Sequence, residues 1–106
     1  MASPNGQPLI LKQKAQALAH YPHARIAGGF IFVSGISSRR LDNTYEGVIE
    51  SPSGLILDIR AQTKAVLENI NEILQAAGAS LKNVVDLTVF LVDMEDYGAF
   101  NESTYD

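Results

Sequence analysis

The sequence predicts one domain that combines a β-hairpin, a long amphipathic helix and a second apolar strand, and three stretches carry that reading. The runs 24–27 and 30–34 flank Gly28-Gly29, the spacing of a tight hairpin. From Asp58 onward, Ile59, Val66, Leu67, Ile70, Ile73, Leu74 and Ala77 follow a helical rhythm, while Arg60, Lys64, Glu68, Asn71, Glu72 and Gln75 take the opposite face. Residues 84–92, with Leu87, Val89, Phe90, Leu91 and Val92, read as a buried strand. A helix of this length between strands points to an α/β unit.

The remaining elements follow in order. Residues 1–14 carry Pro4, Gly6 and Pro8 before Leu9-Ile10-Leu11, which reads as a loose arm with a short strand over 8–12. Residues 15–19 read as a brief helical turn closed by Tyr21-Pro22, because proline disfavours helix in the residue before it. After the hairpin, 41–44 is turn-like and 46–50 reads as a third strand. Ser51-Pro52-Ser53-Gly54 is a turn, and Leu55-Ile56-Leu57 resumes extended structure. Asp58 is a good N-cap for the long helix and Gly78 a good C-terminal stop. A single turn is expected at 81–83. A further helix is expected from Met94, with Tyr97 and Phe100 on one face.

Composition sets bounds on function. With 46% hydrophobic and 19% charged residues in 106, the chain can bury a core and forms one domain. So short a chain leaves much surface exposed, which makes self-association an expectation. Eight Lys+Arg stand against twelve Asp+Glu, a net charge of −4 that argues against nucleic acid as a partner. Without cysteine, disulfides, thiol nucleophiles and thiolate metal sites are excluded. No apolar run reaches the roughly 18 residues of a membrane span, and the N-terminus lacks the pattern of a signal peptide. A soluble, cytoplasmic protein with no membrane partner is expected.

The strand 30–34 ends at Gly35 and opens into Ile36-Ser37-Ser38-Arg39-Arg40. A strand that delivers a bare glycine amide and two guanidiniums to its end suits a small organic anion. Gly35 lacks a Cβ and lets a ligand approach the backbone, although a strand-end turn would use glycine too. Arg39 and Arg40 match a carboxylate with two parallel hydrogen bonds, against the alternative of a solvated loop pair bonded to Asp42 or Glu46. Tyr21 offers a hydroxyl or an aromatic wall, or a brace for the hairpin. His20 and His23 flank it, with no third ligand signature, so no metal site is expected. Asn101 can donate and accept at a cleft or lie on a solvated helix face. Ser34, Ser37 and Ser38 have no paired base or nucleophile-elbow pattern and read as hydrogen-bonding groups. Asp86 and Asp93 bracket the second strand and read as solvated.

Several blocks resemble the RidA (YjgF) family of enamine/imine deaminases. They are Tyr21 before the hairpin, Phe32-Val33-Ser34-Gly35, the helix 58–74, Ala76-Ala77-Gly78-Ala79-Ser80-Leu81, Val85-Asp86-Leu87-Thr88-Val89-Phe90-Leu91, and Asp93-Met94-Glu95-Asp96-Tyr97 with Phe100-Asn101-Glu102. Within the family, Tyr21-Pro22-His23-Ala24-Arg25 and the run 34–40 look most like 2-aminomuconate deaminases of tryptophan and aminophenol breakdown. The resemblance implies a chorismate-mutase-like α+β fold, one mixed sheet with two helices on one face, over a single domain 1–106. It implies a homotrimer with clefts between subunits, no organic cofactor and no metal. It implies cofactor-free hydrolysis of 2-aminomuconate to 4-oxalocrotonate and ammonia, or else a non-catalytic module of the same fold that binds 2-oxo acids or a partner. The substrate-binding residues it implies are Tyr21, Gly35, Arg39 or Arg40, and Asn101. Family chains run on with further C-terminal strands, which carry a carboxylate-binding arginine and a water-positioning glutamate. Neither has a counterpart here. The spacing from Asn101 to Tyr105 is also one residue longer than the family's.

Overall fold

A computed structural model describes residues 6–17 and 21–104. Strand β1 (Gln7–Leu9), β2 (Ala24–Ala27) and β3 (Phe30–Val33) form one antiparallel sheet in that order. The β2–β3 turn is Gly28-Gly29, with φ of 58° and 81°. Two successive positive φ values match the twist of the flanking strands and cost glycine nothing. Pro8 is tolerated because β1 is an edge strand.

Register sorts the two faces of this sheet. Pairing of Leu9 with Ala24, Ala24 with Val33 and Ile26 with Ile31 aligns those residues on one face. That face packs on helix α1 (Ile59–Ala76), where Leu11, Ala24 and Ile73 are the buried centre and Leu9, Ile31, Val33 and Ile36 close around them. The opposite face exposes Phe30 and Phe32, whose rings lie 6.3 Å apart.

A second hairpin, β4 (Val48–Ser51) with β5 (Gly54–Leu57), turns at Pro52-Ser53 and leads into α1. The Asp58 carboxylate accepts from the amides of Arg60 and Ala61 and so caps the helix. Gly78, at φ 84°, ends it, with the Ala79 amide reaching back to the Leu74 carbonyl at 2.8 Å. A 3-10 turn (Leu81–Asn83) follows, and another (Met94–Asp96) leads into α2 (Tyr97–Ser103), which packs against α1. The architecture is the expected α+β one with two helices. Its ladders are all antiparallel among the described residues and fall into the sheets β1-β2-β3 and β4-β5.

Five sequence expectations are corrected. Residues 84–92 form no strand and no ladder among the described residues, and Val85, Phe90 and Val92 are almost fully exposed. A strand needs a neighbour for its amides and carbonyls, and none of the described residues pairs with this segment. Residues 15–17 form no helical turn; 18 and 19 lie outside the described residues. The carbonyls that a helix would use are taken elsewhere: Leu11 and Lys14 accept from Gln16 Nε2, Ala15 from His23, and Gln16 from Arg39. The strand expected at 8–12 is β1, Gln7–Leu9, and that expected at 46–50 is β4, Val48–Ser51. The arm read as loose is tied down from Gln7 by β1 and by buried Leu11; residues 1–5 lie outside the described residues.

Gly47 locks the second hairpin to α1. Its φ is 72°, its carbonyl accepts from the Asp58 amide at 2.7 Å, and a Cβ there would stand 2.6 Å from the Asp58 carbonyl oxygen. Gly47→Ala combines left-handed strain with a backbone clash and is expected to destabilise by about 2 kcal/mol or more. A lowered urea midpoint with unchanged slope is the measurement that checks it.

Candidate functional site

The end of β3 lies over a shallow hollow between residues 14–17, residues 21–23 and the middle of α1. Ser34 continues the ladder by one bond, its amide donating to the His23 carbonyl at 3.0 Å. Beyond it the amides of Gly35 and Ile36 have no acceptor among the described residues, and both residues line the hollow. A Cβ placed on Gly35 would meet nothing within 4 Å, so the approach to its backbone is open.

Of the expected site residues, Tyr21, Gly35 and Arg39 meet at this hollow. Arg39 is half-buried, and its Nη2 donates to a neutral acceptor, the Gln16 carbonyl, at 2.5 Å. No carboxylate among the described residues neutralises it. Arg40, the next residue along an extended segment, is not at the hollow. Both oxygens of Glu46 hold its guanidinium, with Nε at 3.1 Å and Nη2 at 2.9 Å, and Nη1 donates to Thr44 Oγ1 at 2.9 Å. Below Arg40, the Thr44 hydroxyl and amide donate to Asp42 and hold that carboxyl below its usual range. Asp42 therefore stays charged into mild acid, and these bonds are lost only as pH falls through its lowered pKa. Asn101 is not at the hollow either. It lies on α2 beside Glu102, which pairs with Arg60 at 2.6 Å. That contact is at the first turn of α1, about 13 Å of helix axis from Asn69, the α1 residue at the hollow.

His23 is a buried strut. Its Nδ1 accepts from the Leu11 amide and its Nε2–H donates to the Ala15 carbonyl, each at 3.0 Å, which defines a neutral imidazole with both nitrogens used. His20 lies outside the described residues. Ser34 Oγ donates to the Pro22 carbonyl at 2.7 Å, so its proton is committed to the backbone. Among the described residues no group of three His, Cys, Asp or Glu side chains is placed to hold a metal ion.

Two lining residues escaped the sequence reading, Lys14 and Asn69. Asn69 had a visible signal. It stands in the stripe of Val66, Ile70 and Ile73, where a polar side chain interrupts an apolar face. Lys14 had none, because a lysine in a polar arm reads as solvated.

Among the described residues, this α+β scaffold thus brings strand-end amides without an acceptor and a guanidinium without a carboxylate partner to one hollow. The profile of the endoribonuclease L-PSP family matches residues 11–105, and the chain belongs to that family, the one in which the RidA/YjgF resemblance placed it. A RutC family protein of Pyrococcus abyssi is 40% identical over 97 residues, 89% of this chain and 68% of the relative. The 3-aminoacrylate deaminase RutC of Acinetobacter baylyi is 41% identical over 85 residues, 80% of this chain and 61% of the relative. The crystal structure of RidA from an Antarctic Psychrobacter superposes with a TM-score of 0.76 at 28% identity, covering 92% of this chain and 72% of that one. The chain thus spans about two thirds of the length of these relatives. Among the described residues no helix is long and apolar enough to cross a membrane.

Proposed function

We propose that this protein hydrolyses enamine/imine substrates without a cofactor, with 2-aminomuconate as substrate and 4-oxalocrotonate and ammonia as products. The observation that carries the reading is the pairing of the unbonded Gly35 amide with the carboxylate-free Arg39 guanidinium at one hollow. Two anion-binding groups at one site suit a substrate with two carboxylates. The name of the Acinetobacter relative, a 3-aminoacrylate deaminase, supports the reaction class.

The chemistry is balanced by water alone. The enamine tautomerises to an imine, water adds to the C=N carbon, and the carbinolamine expels ammonia to leave the 2-oxo acid. The Gly35 amide and Arg39 hold the two carboxylates, and Tyr21 walls the hollow. Asn101, distant within one chain, completes the cleft from a neighbouring copy in a homotrimer, and the protein works in the cytoplasm. Hydrolysis of RNA, the activity in the family's description, is disfavoured by the net charge of −4 and by the ion pairs that occupy Lys14, Arg40, Arg60 and Lys64.

Ammonia release from enzymatically generated 2-aminomuconate tests the proposal. Release well above the buffer rate is expected. A rate equal to buffer overturns catalysis, and tight binding of 2-oxo acids with no ammonia released would instead establish a binding module.

A further inference from the structure

Arg39 owes its place to a network whose hub is Asn69. This asparagine stands on α1 one turn before fully buried Ile73. Its Nδ2 donates to the Ser37 carbonyl at 3.0 Å and to the Arg39 carbonyl at 3.4 Å, and its Oδ1 accepts from Lys14 Nζ at 2.8 Å. Lys14 also pairs with Glu72, so its charge is met within the protein. Gln16, whose carbonyl receives Arg39 Nη2, is fastened to the same segment by its own side chain, which donates to the Leu11 and Lys14 carbonyls. One amide group therefore ties together the segment that carries the Arg39 backbone and the segment that receives its guanidinium. Only a side chain that both donates and accepts can do this; aspartate offers acceptors alone.

We propose that Asn69 is a positioning residue that sets the reach of Arg39 and so gives the hollow its preference for dicarboxylate over monocarboxylate ligands. The inference rests on the anion-binding reading of the hollow given above. A guanidinium anchored at its backbone and at one nitrogen loses little freedom when it meets a carboxylate, and a preorganised contact binds more tightly than one that must first be ordered.

Calorimetric titration with 2-oxohexanedioate and 2-oxobutyrate tests it. The unmodified protein is expected to bind the diacid about tenfold more tightly or better, the worth of one charge-assisted contact. Asn69→Asp keeps the Lys14 bond but loses both donations, and is expected to cut that ratio below about twofold. Asn69→Ser, whose single hydroxyl sits one bond nearer the helix and cannot span both segments, carries the same expectation with no added charge, which keeps the test intact if the aspartate variant misfolds. Asn69→Gln, which retains donor and acceptor, is expected to recover part of the ratio. If Asn69→Ser retains the tenfold ratio, or weakens both acids equally, the positioning role is overturned while the anion site stands. If the unmodified protein binds neither acid, the anion-binding reading itself fails and takes this inference with it.

Discussion

Arg39→Ala is expected to lower kcat/KM for 2-aminomuconate by about 100-fold, while Arg40→Ala changes it by no more than about twofold. A hydrogen bond to a charged group contributes about 1.5–3 kcal/mol, and about 2.7 kcal/mol corresponds to two decades of rate. Arg39 has that contribution to lose, because it lines the hollow and, among the described residues, its guanidinium meets only the Gln16 carbonyl. Arg40 has its fork filled by Glu46 and Thr44. It makes an exposed pair of the kind that contributes about 1 kcal/mol or less to stability. A monocarboxylic imine such as 2-iminobutanoate lacks the second carboxylate, so its turnover should fall by less than about threefold in Arg39→Ala. Steady-state ammonia release from both substrates measures the contrast. Equal losses for the two substrates would show that Arg39 acts through folding, and no loss for either would remove it from the site.

Ile73→Ala is expected to destabilise the fold by about 3–4 kcal/mol, a large part of the total stability of a domain this size. Ile73 is 1% exposed and is packed with Leu11 and Ala24, with Leu9, Ile31, Val33 and Ile36 around them. Those partners come from β1–β3 and the segments that follow β1 and β3, so the cavity would open between the sheet and α1. Relaxation is limited there, because the sheet is held by its ladders and α1 by its cap. Gln75→Ala, exposed on the same helix, should stay within about 0.5 kcal/mol. Urea unfolding of the two variants checks the difference. A cost below about 1 kcal/mol for Ile73→Ala would show that the cluster is not the core.

The elements legible in the sequence share a property: their signals are local. Gly28-Gly29 specifies its turn through φ alone, and Asp58 and Gly78 bound α1 through bonds that span a few residues. The segment 84–92 shows the limit of such signals. Its β-branched and aromatic composition describes a surface that fits a sheet, but pairing needs a neighbouring strand, and none lies beside it among the described residues. The segment 15–17 shows the same limit in reverse. Local propensity allowed a helical turn, and side chains distant in sequence, His23 and Arg39, took the carbonyls instead.

The sequence by itself determined the hairpin, the capped helix, the glycine at the end of β3 and the excess of acidic charge, because each follows from neighbouring residues or from composition. Only the tertiary structure separates Arg39, which lines the hollow, from Arg40, which does not; a sequence treats them as equals. Adjacent side chains of an extended segment point to opposite sides, and the bridge of Arg39 to Tyr45 sets the register of that segment. The choice also needed α1, whose Asn69 holds the loop from a position thirty residues along the chain. Such a contact is a property of how helix and sheet meet, and no local pattern encodes it.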